Sequence, residues 1–185
     1  DPGAPPADYI TRSGGIFKDM MIHDFDMAVF LMGSMPEAVM ATGSVLTDKS
    51  IEALGDFDSA SAVLRWADGR QLSISNSRRA SYGYDQRVEM HGSLGMVAAE
   101  NEHPVRIEVA TAEGYMRPPL HDFFMTRYIA AYANEINAFI SAVDGATSGS
   151  EAGGIPTGID GLNALLIAEA ALESANSGRL VTIES

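Results

Sequence analysis

Three polar residues near the amino terminus have the spacing of one helix face and side chains suited to proton transfer. Asp19, His23 and Asp26 lie at offsets of four and seven residues, so a helix would project them together. A carboxylate one helical turn from an imidazole can orient the imidazole as a base. Such a base suits alcohol oxidation, because hydride loss from a carbinol carbon is easy only if the hydroxyl proton is removed. Apolar residues at helical spacing face elsewhere: Met21, Phe25, Ala28 and Met32.

The same spacing allows two other interpretations. The polar line can be a solvated helix face, in which Asp19 is stabilised in the first turn by the helix dipole. Asp19, His23 and Asp26 could instead be the ligands of a metal ion. The other histidines lack the spacing of metal ligands, so we expect no bound metal. These histidines are His91, His103 and His121.

Composition excludes several classes of protein. A formal net charge of −13 disfavours binding to nucleic acid. No apolar run approaches the roughly 18 residues of a membrane span, so we expect no membrane partner. The absence of cysteine rules out disulfides and thiolate metal sites, and it fits a cytoplasmic location. A chain of 185 residues with 46% hydrophobic content is predicted to form one domain over 1–185.

The polar line must be positioned by elements that the sequence pattern also predicts. Prolines and glycines indicate an extended approach over 1–15, and helical periodicity indicates one helix over 16–33. A two-residue period then predicts a sheet over 37–112 with five or six strands, one of them at 105–109. Asp68-Gly69 predicts an antiparallel hairpin between 60–66 and 71–76.

The carboxy-terminal third is predicted to be helical over 121–178, with a short strand over 180–183. Thr157 and Asp160 have the spacing of a capping box at the start of the last helix. The fold class is therefore α+β, with an open, mainly antiparallel sheet and helices on one face. The other face would be free for a second copy, and we place Val63, Leu72, Ile74, Val88 and Met90 on it.

Three stretches of the chain resemble the glucose-fructose oxidoreductase and inositol dehydrogenase family. Residues 13–28, SGGIFKDMMIHDFDMA, contain the family pattern GGxxxDxxxH. Residues 76–87 and 156–170 resemble the inositol 2-dehydrogenase branch of that family. The resemblance implies the carboxy-terminal domain, for substrate binding and oligomerisation, of an enzyme that oxidises myo-inositol to a ketone by hydride transfer to NAD.

The resemblance also implies roles for particular residues. His23 would be the proton acceptor and Asp19 would assist it, while Tyr82 and Asp1 would contact the polyol. From their residue type alone, and apart from the resemblance, we expect Arg78 and Arg79 to be solvated charges or partners of acidic neighbours at a subunit contact. No GxGxxG fingerprint is present, so we expect no cofactor-binding residues, no Rossmann domain and no activity from this chain alone.

Two alternatives stay open at the level of the sequence. Another polyol or sugar dehydrogenase of the same family would carry the same pattern. A self-associating structural domain without catalysis would need only the open sheet face, through which we expect a homo-oligomer.

Overall fold

A computed structural model describes residues 1–145 and 155–184 of the chain. The chain divides into two compact units. Residues 4–78 and 156–185 form the first, which we call the sheet unit, and residues 1–3 and 79–155 form the second, which we call the hairpin unit. The prediction of one domain over 1–185 stays a prediction.

The sheet unit combines a four-stranded antiparallel sheet with helices. Its strands are β1 (Ala38–Ser44), β2 (Ser59–Arg65), β3 (Gln71–Ser77) and β8 (Val181–Thr182), in the order β3-β2-β1-β8. Its helices are α1 (Ala7–Ser13), α2 (Ile16–Asp19), α3 (Ile22–Met32) and α6 (Gly158–Ser177), with a 3-10 turn at Glu52–Leu54. The predicted fold class, an α+β domain with an open antiparallel sheet, is confirmed.

The strand alternation places one sheet face against α6 and α2, and α3 packs on α6. Val39, Ala41, Ala62 and Leu64 lie on this face and are buried, because each points into the layer between sheet and helices. Burying a side chain such as Leu64 contributes roughly 1.5–3 kcal/mol. The open face is formed by the alternate positions, which are exposed: Met40, Thr42, Ser61, Val63, Ser73 and Ser75.

Two predicted members of the open face are wrong. Leu72 pairs with the buried Leu64, and Ile74 pairs with the buried Ala62, so both lie on the covered face. Val63 does lie on the open face, where it is 41% exposed. The prediction took the wrong phase of alternation in β3, and a one-residue change of phase moves every side chain to the other face.

The predicted local signals at two turns are confirmed. β2 and β3 form an antiparallel hairpin, and Gly69 supplies the positive φ of 90° that its turn requires. Thr157 is the N-cap of α6, and both hydrogen bonds of its capping box with Asp160 are present. The helix ends at Gly178, which has φ 69°.

The amino-terminal predictions are wrong in two places. Residues 7–13 form the helix α1 rather than an extended segment, since Pro6 can precede a first turn and Asp8 pairs with Arg12 one turn later. The predicted helix over 16–33 is interrupted at Met20 and Met21. The Met21 N–H bonds to the Ile16 carbonyl, five residues back, so the ladder slips by one residue before α3 begins.

The hairpin unit contains two short hairpins and a long helix. β4 (Val88–Gly92) pairs with β5 (Gly95–Ala99), and β6 (Val109–Thr111) pairs with β7 (Gly114–Met116). They are followed by α4 (Phe124–Arg127) and α5 (Ile129–Val143). Residues 146–154, within the predicted helical range 121–178, lie outside the described residues.

The single predicted sheet of five or six strands is therefore wrong for the described residues. β4 to β7 form two separate two-stranded sheets. A strand was predicted over 105–109. Only Val109 of that range is in a strand, as the first residue of β6, and residues 105–108 pair with no strand. Val88 and Met90, assigned to the open face, belong to β4 in the hairpin unit.

Candidate active site

The carboxylate of Asp19 is held by two donors in the sheet unit. Asp19 is the last residue of α2, and its Oδ1 accepts a hydrogen bond of 2.7 Å from the Tyr9 hydroxyl. Its Oδ2 lies 3.1 Å from Nη1 of Arg78. Each carboxylate oxygen thus has a donor of its own, and these two bonds fix the orientation of the carboxylate. The bond to Asp19 raises the pKa of the Tyr9 phenol.

Arg78 is an almost fully buried cation between two carboxylates. Its side chain is 1% exposed, and its Nη2 lies 3.2 Å from Oδ2 of Asp56, which is itself buried. The planar fork of a guanidinium suits two acceptors at once. A buried charge without partners is very costly, so Asp19 and Asp56 compensate the guanidinium. Arg78 Nε makes no hydrogen bond to any described residue.

Asp56 also fixes the start of α2. Its Oδ1 accepts a hydrogen bond of 2.9 Å from the backbone N–H of Ile16, the first residue of that helix. A carboxylate at this position satisfies an orphan donor and interacts favourably with the helix dipole. Asp56 therefore links the first residue of α2 to the guanidinium of Arg78, and Asp19, the last residue of α2, contacts the same guanidinium.

The backbone conformation and the available space require glycine at both positions of the GG pair in the GGxxxDxxxH pattern. Gly14 closes α1 with φ 89°, and Gly15 has φ 82° and ψ 176°, a conformation found almost only for glycine. A Cβ on Gly15 would lie 2.7 Å from Oδ1 of Asp56. Gly15 therefore leaves the space in which Asp56 reaches the start of α2.

His23 is an exposed imidazole on the first turn of α3. Among the described residues, no hydrogen bond joins His23 to Asp19, whose partners are Tyr9 and Arg78. Asp19 and His23 lie on separate helices, α2 and α3, and the orientation of the imidazole by Asp19 stays a prediction. Whether His23 and Asp19 are catalytic stays a prediction.

The carboxyl next to His23 is anchored to the sheet. Asp24 Oδ2 accepts a hydrogen bond of 2.9 Å from Nδ2 of Asn76, near the end of β3. Burial raises the pKa of Asp24, and the bond from Asn76 and the charge of His23 partly oppose that rise. This bond ties the first turn of α3, and with it His23, to the covered face of the sheet. Asp26 is exposed on the same helix.

Tyr82 and Asp1, the predicted substrate contacts, lie in the hairpin unit. Tyr82 is 54% exposed, and its hydroxyl donates a hydrogen bond of 2.6 Å to Asp85. That bond raises the pKa of Tyr82. The Asp1 carbonyl accepts a 2.6 Å bond from the Ala80 N–H, which places Asp1 beside the segment that carries Tyr82. Their role in substrate binding stays a prediction.

Asp85 organises a polar cluster around Tyr82. It accepts hydrogen bonds from Arg87 and Asn101 as well as from Tyr82, and the bond from Arg87 is the main cause that lowers its pKa to about 2. An open cleft of about 580 Å³ adjoins this cluster. Seven of its ten lining residues carry polar or charged side chains, namely Tyr82, Asp85, Arg87, Glu100, Asn101, His103 and Arg117, and the others are Pro118, Pro119 and Leu120. Such a lining can hold a small hydrophilic molecule.

Sequence reasoning missed Arg78 and Asp56. Arg78 was interpreted as a solvated charge or as a partner of acidic neighbours at a subunit contact; its burial contradicts the first, and its acidic partners, Asp19 and Asp56, belong to the same chain. The two-residue period contained the signal, because Ile74, Asn76 and Arg78 follow one another on the covered face. No comparable pattern marks Asp56, whose role depends on a contact with Ile16 that is distant in sequence.

Within residues 1–145 and 155–184, neither metal binding nor membrane crossing has a candidate. No group of three or more His, Cys, Asp or Glu side chains is placed to hold a metal ion there. No helix in these ranges is long and apolar enough to cross a membrane.

Comparison with known proteins gives consistent similarities. Residues 1–98 match the model of the GFO/IDH/MocA C-terminal domain. The inositol 2-dehydrogenase of Rhizobium meliloti strain 1021 is 61% identical over 99% of this chain and 54% of its own length. The scyllo-inositol 2-dehydrogenase (NAD(+)) of Bacillus subtilis strain 168 is 33% identical over 100% of this chain and 52% of its own length.

A solved structure extends the similarity to the backbone. The crystal structure of a myo-inositol dehydrogenase from Corynebacterium glutamicum ATCC 13032 superimposes with a TM-score of 0.91 at 42% identity. The match covers 100% of this chain and 54% of that protein. The chain thus spans about half the length of the relatives it matches.

Proposed function

We propose that this chain, which belongs to the GFO/IDH/MocA family and matches the C-terminal domain of that family, is the substrate-side half of an NAD-dependent inositol 2-dehydrogenase. The carrying observation is the carboxylate of Asp19, which Tyr9 and the buried Arg78 fix in the segment that also bears His23. The names of the similar proteins support an inositol as substrate.

The proposed reaction oxidises one ring hydroxyl of myo-inositol to a ketone. The hydroxyl proton goes to the exposed imidazole of His23, and the carbinol carbon loses a hydride as the C=O bond forms. Asp19 provides a fixed negative charge that stabilises the positive charge gained by His23. Tyr82 and Asp1 are the proposed hydrogen-bonding contacts of the other ring hydroxyls.

NAD is the proposed hydride acceptor, bound outside this chain. The described residues do not fit a dinucleotide site, since all their strand pairs are antiparallel and they contain no βαβ unit. The isolated 185-residue chain should therefore show no saturable NAD binding in calorimetry at micromolar concentration. Saturable binding would place the cofactor on this chain and contradict the proposal.

A homo-oligomer is proposed through the open sheet face. Met40 and Val63 are 43% and 41% exposed there, and their neighbours carry short hydroxyl side chains that allow close approach of a second flat face. Val63→Arg should dissociate the oligomer in sedimentation velocity, whereas Val97→Arg, at an exposed position of β5, should not. A protein that sediments as a monomer before substitution would contradict this interface.

We also propose that the enzyme works in the cytoplasm.

The substrate has one specific alternative. The similarity to a scyllo-inositol 2-dehydrogenase favours a stereoisomer of inositol as the second candidate. Turnover of myo-inositol, scyllo-inositol and glucose by the full-length protein that contains this chain would separate these cases. Oxidation of none of them would favour the self-associating structural domain.

Substitution of His23 tests the chemistry in that full-length protein. His23→Ala removes the proposed base, and turnover of inositol should fall by roughly a hundred- to ten-thousand-fold. Asp19→Asn should lower turnover by a smaller factor, because the amide keeps the shape but loses the charge. Affinity for NAD should stay nearly unchanged in both variants.

The matched control is His91→Ala, which removes an exposed imidazole paired with Glu89 in the hairpin unit. It should leave turnover at the parental value. If His23→Ala oxidised inositol as fast as His91→Ala, His23 would be a residue of a solvated helix face rather than a base.

A further inference from the structure

We propose that Arg78 is a positioning residue for the reaction, acting by fixing the Asp19 carboxylate at the end of α2. The inference rests on the proposed function of Asp19. Arg78 does not itself need to touch the substrate, since its side chain is 1% exposed and its two terminal nitrogens are engaged by Asp19 and Asp56.

The helix that carries Asp19 is too short to be stable without tertiary contacts. α2 has four residues, Ile16–Asp19, and a helix of one turn gains too few hydrogen bonds to offset its nucleation cost. Its position must come from tertiary contacts. The side chains of Ile16 and Phe17 anchor one side of it in the core, where both are buried.

The polar side of α2 is tied to one guanidinium at both ends. At the first residue, Ile16 donates its N–H to Asp56, whose other oxygen contacts Nη2 of Arg78 at 3.2 Å. At the last residue, Asp19 contacts Nη1 at 3.1 Å. Movement of the guanidinium would therefore change the start of α2 and the Asp19 carboxylate together.

A buried cluster of charged side chains contributes little net stability to a core. Replacing such clusters by apolar residues of similar volume is often neutral or stabilising in other proteins, because dehydrating the charges offsets their attraction. The geometry of this cluster instead defines a direction for Asp19, which remains 13% exposed and so keeps one side toward solvent. A fixed, partly exposed carboxylate is what an acid-base site requires.

Arg78→Lys is the first test, in the full-length protein. Lysine keeps the charge but lacks the fork that contacts two carboxylates at once. Turnover of inositol per folded molecule should fall by about a hundred-fold, the effect expected of a displacement of about 1 Å at a reacting group. The KM for NAD should stay at the parental value. Arg65→Lys, at an exposed arginine paired with Glu37 on the same sheet, is the matched control and should change neither.

The deuterium isotope effect separates positioning from stability. Inositol deuterated at the reacting carbon should give a larger isotope effect on turnover in Arg78→Lys than in the parent, because the chemical step becomes slower than product release. A variant that merely contains fewer folded molecules would keep the parental isotope effect. Adding Arg78→Lys to Asp19→Asn should lower turnover little further, since both changes act through one carboxylate.

A second variant covers the case in which Arg78→Lys does not fold. Asp56→Asn keeps the shape of the anchor and can still accept the Ile16 N–H, but it weakens the hold on the guanidinium. It should lower turnover by about ten-fold, the rate equivalent of one weakened hydrogen bond, with the same rise in isotope effect. Parental turnover and isotope effect in folded Arg78→Lys, or in Asp56→Asn if only that variant folds, would overturn the proposal.

Crystal structures of the folded variant and the parent keep this inference separate from the proposed function. The Asp19 carboxylate should move by about 1 Å or turn away from Tyr9 in the variant. If the parent oxidises no inositol but the carboxylate moves, the proposed function fails and the positioning contact stands. If the carboxylate stays in place, the positioning role is overturned whatever the parent oxidises.

Discussion

Gly15→Ala is expected to destabilise the sheet unit more than its loss of conformational freedom explains. At φ 82° and ψ 176° an alanine is strained by about 1–3 kcal/mol. Its Cβ would also lie 2.7 Å from Oδ1 of Asp56, so the carboxylate must move and the buried Ile16 N–H loses its acceptor. An unsatisfied buried donor costs about 1–3 kcal/mol, which gives a total of about 2–6 kcal/mol.

The assay is urea unfolding of the 185-residue chain, followed by fluorescence. The chain contains one tryptophan, and Trp66 is buried in the same core as Ile16, so its emission reports this unit. Gly33→Ala is the matched control, because Gly33 also has a positive φ of 71° but no atom lies within 4 Å of its ideal Cβ. That control should cost about 1–2 kcal/mol.

A double-mutant cycle isolates the contact with Asp56. In an Asp56→Ala background the alanine at position 15 meets no carboxylate, and it should cost only its backbone strain. Equal losses for Gly15→Ala and Gly33→Ala, or an unchanged loss in the Asp56→Ala background, would refute the steric explanation of the glycine pair.

Three further changes test other contacts. Thr157→Ala removes the N-cap of α6 and should cost about 1 kcal/mol in urea unfolding. Ser174→Ala leaves a buried N–H of β1 without its acceptor and should cost about 1–3 kcal/mol in the same assay. The pKa of Asp85 is about 2 in the folded chain, below its ordinary value of 3.8, so the ion pair with Arg87 contributes its full stability to the fold only above about pH 3.8. The thermal stability that Asp85→Asn loses, relative to the parent, should therefore shrink as pH falls through about 2; a pH-independent loss would contradict the ion pair with Arg87.

Local signals in the sequence were reliable where one interaction decides the structure. The Asp68-Gly69 turn and the Thr157 capping box depend on residues within three positions of each other, and both are present. These elements need no knowledge of distant neighbours.

The errors arose where distant contacts decide. The break at Met20 and Met21 contains neither glycine nor proline, so no local helix-breaking residue marks it, and the Met21 side chain there is fully buried. The partner of Asp19 is Arg78, 59 positions away in sequence, so periodicity around Asp19 could not reveal it. The open-face assignment of Leu72 and Ile74 is a different kind of error, because the alternation of β3 itself separates these apolar residues from Ser73 and Ser75.

The contact between Gly15 and Asp56 makes two distant positions interdependent in evolution. A larger residue at position 15 can be tolerated only if the side chain at position 56 shortens, and that change would release both the start of α2 and one partner of Arg78. Aligned relatives should therefore vary at these two positions together or at neither. A designer who grafts the segment 14–23 onto another scaffold must bring the residue at position 56 with it.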